Sequence, residues 1–338
     1  MENDFALTGE RAKVGETEVN PVKLLFRDRE EFRSFHMGQE QSLLVVAILY
    51  AVAIGGLALV WATMRMPLTA RIPADIVAFV IVGWAQYSLG NGLHEAVHHN
   101  LRNRNTDLWA SLLTAYPVGL TIAYRQIHLG HHKYLGTEND PEFDLYTAFP
   151  QTKIALAVRF VWFISGIPAI LQFFQLQRLA ASNVEQRSHR DMFLFAGVQI
   201  GLLALFWSIF GSPVYYVVFW ILPIATVGKL LSSTRLLCEH GSPHRDWVVR
   251  TIDGARWQTW VMGAFDFNYH GEHHLIPSVP FAHLQQLHRV HRAYIEQHPL
   301  YRPIEGRFEF ISGGYLSLLA HWFRILPWRR HSQPHLAS

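Results

Sequence analysis

Three clusters of histidine stand out in a chain of 338 residues that carries 20 of them. They are His94-Glu95-Ala96-Val97-His98-His99, His128-Leu129-Gly130-His131-His132 and His270-Gly271-Glu272-His273-His274. The last two share the spacing H-x-x-H-H. Positions i, i+3 and i+4 lie on one face of a helix, so each cluster aims its three imidazoles the same way. His94 and His98 do the same at i, i+4, and His240 in Cys238-Glu239-His240 is a fourth candidate. Imidazole is a neutral ligand suited to Fe, Zn, Cu and Ni. A zinc site is normally complete with four ligands, or with three and a water when it is catalytic. Ten clustered histidines, or nine if one of His98 and His99 is spare, exceed one such site. They would serve two metals with four or five ligands each. Zinc has no redox chemistry, whereas two irons can activate O2, so the arithmetic favours a dinuclear redox site.

Two other chemistries compete. His94-Glu95-Ala96-Val97-His98 satisfies H-E-x-x-H, in which two histidines bind zinc and the glutamate is the general base of a membrane metalloprotease. That reading leaves both H-x-x-H-H clusters unexplained. A metal carrier would place its ligands inside the membrane along a pathway, whereas these clusters fall at span ends and in connecting segments. Isolated histidines such as His36, His189 and His244 read as solvated side chains. His283, His288 and His291 fall on an amphipathic helix, where solvent exposure accounts for them.

The elements that must position these groups are apolar. Half of the residues are hydrophobic and 16% are charged, against about a quarter charged in soluble domains. Ser42 to Met64 contains no charged residue, and neither does Met192 to Gly228. The first is long enough for one bilayer crossing and the second for two. The simplest count is four spans, about 42–64, 72–93, 192–210 and 214–231, in two hairpins. Gly211-Ser212-Pro213 is the turn of the second hairpin. Leu108 to Tyr124, with Pro117 and Gly119, and Ile154 to Leu176, with Arg159, Gly166 and Pro168, are awkward apolar stretches. If His94, His128 and His270 form one site, an even number of crossings must separate each pair. Four spans satisfy this, and adding either stretch does not, so both read as interfacial or re-entrant helices. Tyr315 to Trp328 reads as a further interfacial helix.

The fold class expected is therefore an all-α integral membrane protein, with four spans in two hairpins and a cytoplasmic helical cap carrying a histidine-rich di-metal site. Residues 1–41 form a cytoplasmic tail with six Lys/Arg, 42–291 the membrane domain, and 292–338 a cytoplasmic or interfacial segment. The single cysteine, Cys238, excludes a disulfide framework and a cysteine-ligated iron–sulfur cluster. Net charge is +3, and its scattered arginines suit a positive-inside membrane protein rather than a nucleic-acid binder.

The clusters, in this order, resemble the three boxes of the membrane-bound fatty acid desaturase superfamily of non-haem di-iron enzymes. The context is similar too: Tyr269-His270-Gly271-Glu272-His273-His274-Leu275-Ile276-Pro277 resembles the third-box region. His131-His132-Lys133-Tyr134-Leu135-Gly136-Thr137-Glu138, running into Asp140-Pro141, resembles the second. The resemblance implies that His94, His98 or His99, His128, His131, His132, His270, His273 and His274 are iron ligands, with His240 matching a further ligand after the last span. Some members carry Asn four residues before that histidine, and here the position is Leu236. Glu95, Glu239 and Glu272 stand beside ligands and could orient them by accepting the other ring N–H. Asn268 and Asp140 could do the same or simply form turns.

The implied activity is O2-dependent oxidation of an unactivated C–H bond of a lipid, first of all fatty-acyl desaturation. Hydroxylation or ketolation of an acyl chain or isoprenoid is the alternative within the superfamily. No flavin or nicotinamide fingerprint and no cytochrome b5 motif is present. A separate electron donor, ferredoxin or cytochrome b5 with its reductase, is expected. The expected compartment is the bacterial inner membrane with the site on its cytoplasmic side.

Overall fold

The computed structural model describes residues 12–14, 17–26, 28–35, 39–101, 111–121, 123–182, 189–244, 246–262, 264–298, 300–303 and 307–329. Short helices α1 (Pro21–Leu25) and α2 (Arg29–Ser34) precede the long α3 (Gln39–Thr63) and α4 (Leu68–Val97). Next come α5 (Ala123–Tyr134), α6 (Phe143–Thr147), α7 (Lys153–Ile164) and α8 (Ile167–Ser182). The second long pair is α9 (His189–Phe210) and α10 (Val214–His240). Beyond it lie α11 (Arg256–Val261), α12 (His270–Leu275), α13 (Phe281–Gln297) and α14 (Gly314–Ile325).

Four of these helices, α3, α4, α9 and α10, are long and apolar enough to cross a bilayer, and the chain is an integral membrane protein. A helix satisfies its own backbone in lipid, so uncharged runs can span it. Large apolar side chains such as Leu44, Ile54, Trp61, Phe193 and Trp207 point outward. Inside, Val60, Val82, Phe206 and Trp220 pack together as the core shared by the spans. Gly83 of α4 lets α10 approach closely: a Cβ there would lie 2.7 Å from the Pro223 carbonyl oxygen and 2.8 Å from Val227 Cβ. Small residues serve this purpose between membrane helices. Pro223 has no N–H to donate, and α10 widens into π-type turns on either side of it, Val217–Ile221 and Ile224–Gly228.

Two helices run further than apolar content alone predicts. α4 covers Leu68–Val97 rather than 72–93, and α10 continues past Leu231 to His240. The extensions carry polar groups that find partners inside the protein. Arg235 and Glu239 pair at i, i+4 (3.2 Å), and Arg235 donates to Asn91 of α4 at 2.8 Å.

α7 and α8 meet at a 72° bend beside Gly166. At 1.5 Å per residue the 12 residues of α7 advance about 18 Å, too little to cross alone. Of Leu108 to Tyr124, residues 108–110 and 122 lie outside the described part. Residues 111–119 make one π-type turn (Ser111–Ala115) and one 3-10 turn (Tyr116–Val118), then reverse at Gly119 (φ 80°).

The protein is mostly helical, as expected, but not wholly so. Among the described residues there are five short strands, β1 (Ala12–Val14), β2 (Thr17–Val19), β3 (Val249–Asp253), β4 (Tyr301–Arg302) and β5 (Phe308–Ser312). β1 lies between β2 and β4, antiparallel to both. β3 and β5 are parallel, in register from Val249↔Phe308 to Asp253↔Ser312. With five residues or fewer, none is long enough to impose a readable alternation on the sequence. β3 is almost wholly buried and forms the floor on which α12 sits. α14 buries Tyr315, Leu318 and Trp322 against Leu156, Leu237 and Ile252, while Leu316, Phe323 and Ile325 face outward.

Replacing Gly83 by Val is expected to force α4 and α10 apart. The cost should be about 1–3 kcal/mol, the usual range for overpacking. It should appear as a lower unfolding midpoint in detergent, and an unchanged midpoint would refute the close approach.

Candidate metal centre

Nine imidazoles converge in two neighbouring groups. His94, His98, His128, His132 and His273 form the first, and His131, His240, His270 and His274 the second. Within each group the ring nitrogens lie within 4.8 Å of one another. The groups adjoin, since the His132 and His274 rings are 4.3 Å apart between centroids. α4 supplies His94, and His98 follows in its terminal turn. α5 supplies the second cluster, α10 ends on His240, and α12 is the third cluster itself.

The clusters are not three parallel triplets. His128 and His132 serve the first group while His131 crosses to the second, and His270 and His274 serve the second while His273 crosses to the first. The ambiguity at the first cluster also resolves. His98 Nε2 lies 2.8 Å from His128 Nε2, whereas His99 is in neither group. His99 adopts a left-handed backbone (φ 62°) and its Nε2 lies 3.2 Å from an Arg125 guanidinium nitrogen.

The donor set fits metal binding. Nε2 atoms face one another at 2.8, 3.0 and 3.0 Å in the first group and at 3.3, 2.7 and 2.9 Å in the second. His131 Nδ1 donates to Asp140 (2.9 Å) and His240 Nδ1 donates to the Val248 carbonyl (3.1 Å). Each acceptor accepts only, so in the neutral rings both Nε2 atoms present lone pairs, yet they stand 3.3 Å apart. Two facing lone pairs are reconciled by a cation between them. Both ring nitrogens of His94 are buried without a hydrogen-bond partner among the described residues. Burial, reinforced by the neighbouring imidazoles, drives His128, His132, His270, His273 and His274 well below the ordinary histidine range, and Arg235 adds to this at His128, His270 and His273. His98 is pushed down to about 3 by burial, then by His99 and Arg125. Neutral imidazole is the metal-binding form. At His131 burial also opposes charge, but the bond to Asp140 and the nearby carboxylates outweigh it, and its pKa rises.

The acidic candidates divide. Asp140 accepts from His131, from the Tyr146 hydroxyl at 2.6 Å and from the Glu142 amide at 2.8 Å, so it is itself fixed. Glu239 has an oxygen 3.6 Å from His270 Nδ1 and also receives Arg235 and the Tyr315 hydroxyl. Glu95 touches no clustered imidazole by hydrogen bond and accepts from the Phe281 amide at the start of α13 (3.0 Å). Asn268 donates to the Ile252 carbonyl at 3.2 Å, tying the turn before α12 to β3.

Glu272 faces away from both groups. It accepts from His288 Nδ1 (2.9 Å), His291 Nδ1 (3.1 Å) and the Thr251 hydroxyl. The exposed reading of His288 and His291 is thereby corrected, since both are buried and hold this carboxylate. Burial alone would raise Glu272, but the two imidazole donors outweigh it and lower it to about 2. Gly271 beside it is required by space, because a Cβ would lie 2.3 Å from Phe308 and 2.7 Å from Thr251 Oγ1. The sequence signal was available: His288 and His291 are at i, i+3, and one face of α13 carries both. Arg235 also escaped the sequence reading, although a lone arginine inside an apolar helix marks a functional or paired site.

A cavity of about 560 Å³ ends at the histidines, with His94, His128, His131, His240 and His270 in its wall. It runs between α4, α8 and α10 and is lined mainly by apolar side chains, among them Ile170, Phe173, Phe195 and Ile224.

Residues 70–304 match the profile of the fatty acid desaturase family. The chain belongs to that family. A Caenorhabditis elegans protein named as a candidate sphingolipid delta(4)-desaturase/C4-monooxygenase is 25% identical over 228 residues, 65% of this chain and 59% of its own. The dihydrorhizobitoxine desaturase of Bradyrhizobium elkanii is 28% identical over 237 residues, 63% of this chain and 66% of its own. A sphingolipid delta(4)-desaturase of Xenopus tropicalis is 22% identical over 253 residues, 71% of this chain and 72% of its own. The chain thus spans about 60 to 66% of the first two relatives. All three histidine clusters and His240 lie inside the stretch that matches the fatty acid desaturase profile.

Glu272→Leu removes the oxygen that both imidazoles share and the one that accepts from the Thr251 hydroxyl. The expected cost is about 1–3 kcal/mol for an unmade buried hydrogen bond. It should lower the unfolding midpoint of metal-free protein, while Glu138→Gln on the exposed turn should not move it. Equal midpoints would show that the network carries no stability.

Proposed function

We propose that the chain is an O2-dependent di-iron oxidoreductase that introduces a double bond into a lipid acyl chain. The observation that carries the proposal is the pair of adjoining imidazole groups, five and four strong, at the inner end of an apolar cavity. His94, His98, His128, His132 and His273 would hold one iron, and His131, His240, His270 and His274 the other. A bound iron pair supplies O2 activation and abstraction of hydrogen from unactivated carbon. The overall balance is R–CH₂–CH₂–R′ + O2 + 2 e⁻ + 2 H⁺ → R–CH=CH–R′ + 2 H₂O. The electrons come from a separate donor protein, ferredoxin or cytochrome b5.

The protein's own groups set position and access. Asp140, gripped by Tyr146, fixes the tautomer and plane of His131, and the Val248 carbonyl does so for His240. Such partners raise ligand basicity and lock its direction. Arg235 neutralises Glu239 beside His270 while its guanidinium stands over the Phe267 ring, so the carboxylate adds no uncompensated charge. The apolar cavity wall holds a methylene chain and keeps bulk water from the reacting carbon.

We assign α3–α4 and α9–α10 as two membrane hairpins with the histidines on the cytoplasmic side. Two features support this: His94 and His240 lie at the C-terminal ends of the second and fourth spans, and the N-terminal 41 residues are rich in Lys and Arg. The lipid-chain substrate is supported by the family and by the character of the cavity.

Protein purified from iron-supplemented cells without chelating resin is expected to carry about two irons per chain, one per imidazole group. Lipids from expressing cells should show a species lighter by two hydrogens. One zinc and no iron, persisting after anaerobic iron reconstitution, would overturn the assignment. His131→Ala, His270→Ala and His273→Ala should each reduce product to the vector background while the protein still inserts. Full turnover by the His131 or His273 variant would rule out the ligand set. Asp140→Asn should weaken iron retention about 10–100-fold, the usual effect of losing a group that orients a ligand. Iron affinity equal to wild type would remove Asp140 from that role.

A further inference from the structure

The cavity has a polar feature far from the histidines. Lys229, on α10, lines it about three turns before His240. Its Nζ donates to Gln172 Oε1 of α8 at 2.6 Å. Gln172 is neutral, and among the described residues no carboxylate oxygen lies within 4.0 Å of Nζ. Neither carboxylate in the cavity wall is in ion-pair contact with it, although Glu142 acts on it through space. Glu239 pairs with Arg235 at 3.2 Å, and Glu142 lies 3.8 Å from His131 Nδ1.

An ammonium has three donors, and Nζ spends one on a neutral amide. Withdrawing a cation from water with no carboxylate in ion-pair contact is costly, and an ionisable group in a membrane helix that faces a cavity marks a binding site by default. A neutral side chain at position 229 would tie α8 to α10 as well. The charge itself therefore needs an explanation that helix packing does not give.

We propose that Lys229, with Gln172 beside it, binds the anionic head of a single-chain amphiphile whose tail runs to the histidines. The head is a carboxylate or a phosphate monoester. This rests on the oxidase reading and names its substrate class. At about 30 Å³ per small group, the 560 Å³ cavity takes on the order of twenty non-hydrogen atoms. That accommodates one acyl chain with its head. Eleven residues separate Lys229 from His240, about 16 Å of helix. The carbon brought to the histidines is then on the order of ten bonds from the head.

The test is equilibrium binding to the full-length protein in lipid nanodiscs, with radiolabelled hexadecanoate and competition by hexadecyl phosphate and hexadecanol. One of the two anions is expected to bind at least about tenfold more tightly than the alcohol, as a buried charge pair requires. The tighter anion identifies the head. Lys229→Met should remove that preference, weakening the anion about tenfold or more and moving the alcohol less than about threefold. Lys229→Arg should keep the anion within about threefold of wild type. Lys229→Gln gives the same reading if the Met variant does not insert.

Two results would overturn the proposal: equal wild-type affinity for all three probes, or an equal loss for all three in the Met and Gln variants. The assay needs no turnover, so it fails separately from the iron and product tests. Protein that prefers the anion yet oxidises no lipid keeps the head site and refutes the oxidase reading.

Discussion

The structure depends on gathering nine imidazoles into a buried volume where their ring nitrogens face one another at about 3 Å. For His131 and His240, whose Nδ1 protons go to Asp140 and the Val248 carbonyl, the facing Nε2 lone pairs of the neutral rings need a shared cation. The surrounding chain compensates by fixing the rings from behind. Asp140 and the Val248 carbonyl hold Nδ1 atoms of the second group, and the Glu272 network anchors the turn that bears three of the nine rings. Each of these anchors comes from a different element, which is why the site cannot be assembled by the spans alone.

The same demand explains helices that outrun their hydrophobic length. α4 and α10 have 30 and 27 residues, about 45 and 40 Å, against a hydrocarbon core of about 30 Å. The surplus turns carry Asn91, His94, Arg235, Glu239 and His240 to the site. Their polar groups would be intolerable in lipid, and Asn91, Arg235 and Glu239 pair with one another while His94 and His240 join the imidazole groups. Small strands then do what helices cannot. β3 supplies Thr251 to Glu272 and, through the turn before it, the Val248 carbonyl to His240, and its burial makes a rigid floor beneath α12.

Sequence disclosed the spans and the histidines because both signals are dense. Apolar runs located the four helices long enough to cross a bilayer, and the three clusters together with His240 supplied the nine imidazoles that the structure gathers among the described residues. It failed where a residue's role depends on a distant partner. His288 and His291 look like solvated helix residues until Glu272, sixteen and nineteen positions earlier, is placed beneath them. Glu95 looks like a ligand's neighbour, yet its carboxylate serves the Phe281 amide, 186 positions later. Arg235 lies beyond the expected end of the last span at Leu231, and Lys229 lies inside that span with no local pattern to mark it. The strands were too short to register. Every miss is a long-range contact, while every success is a local pattern or a count.

Helix phase accounts for how the boxes are shared, and it bears on the one choice the sequence reading left open. At 100° per residue, i and i+4 differ by about 40° and converge on one point, whereas i+3 lies about 60° to the other side of i. An H-x-x-H-H helix therefore directs its i and i+4 rings to one centre and its i+3 ring to a neighbouring one. The second box sends His128 and His132 to the first group and His131 to the second. The third sends His270 and His274 to the second group and His273 back to the first. Each of these two boxes thus touches both groups, and the two exchanges lock the groups side by side. The same phase selects His98, which is i+4 from His94, over His99, which a continued helix would turn about 140° away. The backbone ends its helical run there, and His99 goes to Arg125 instead.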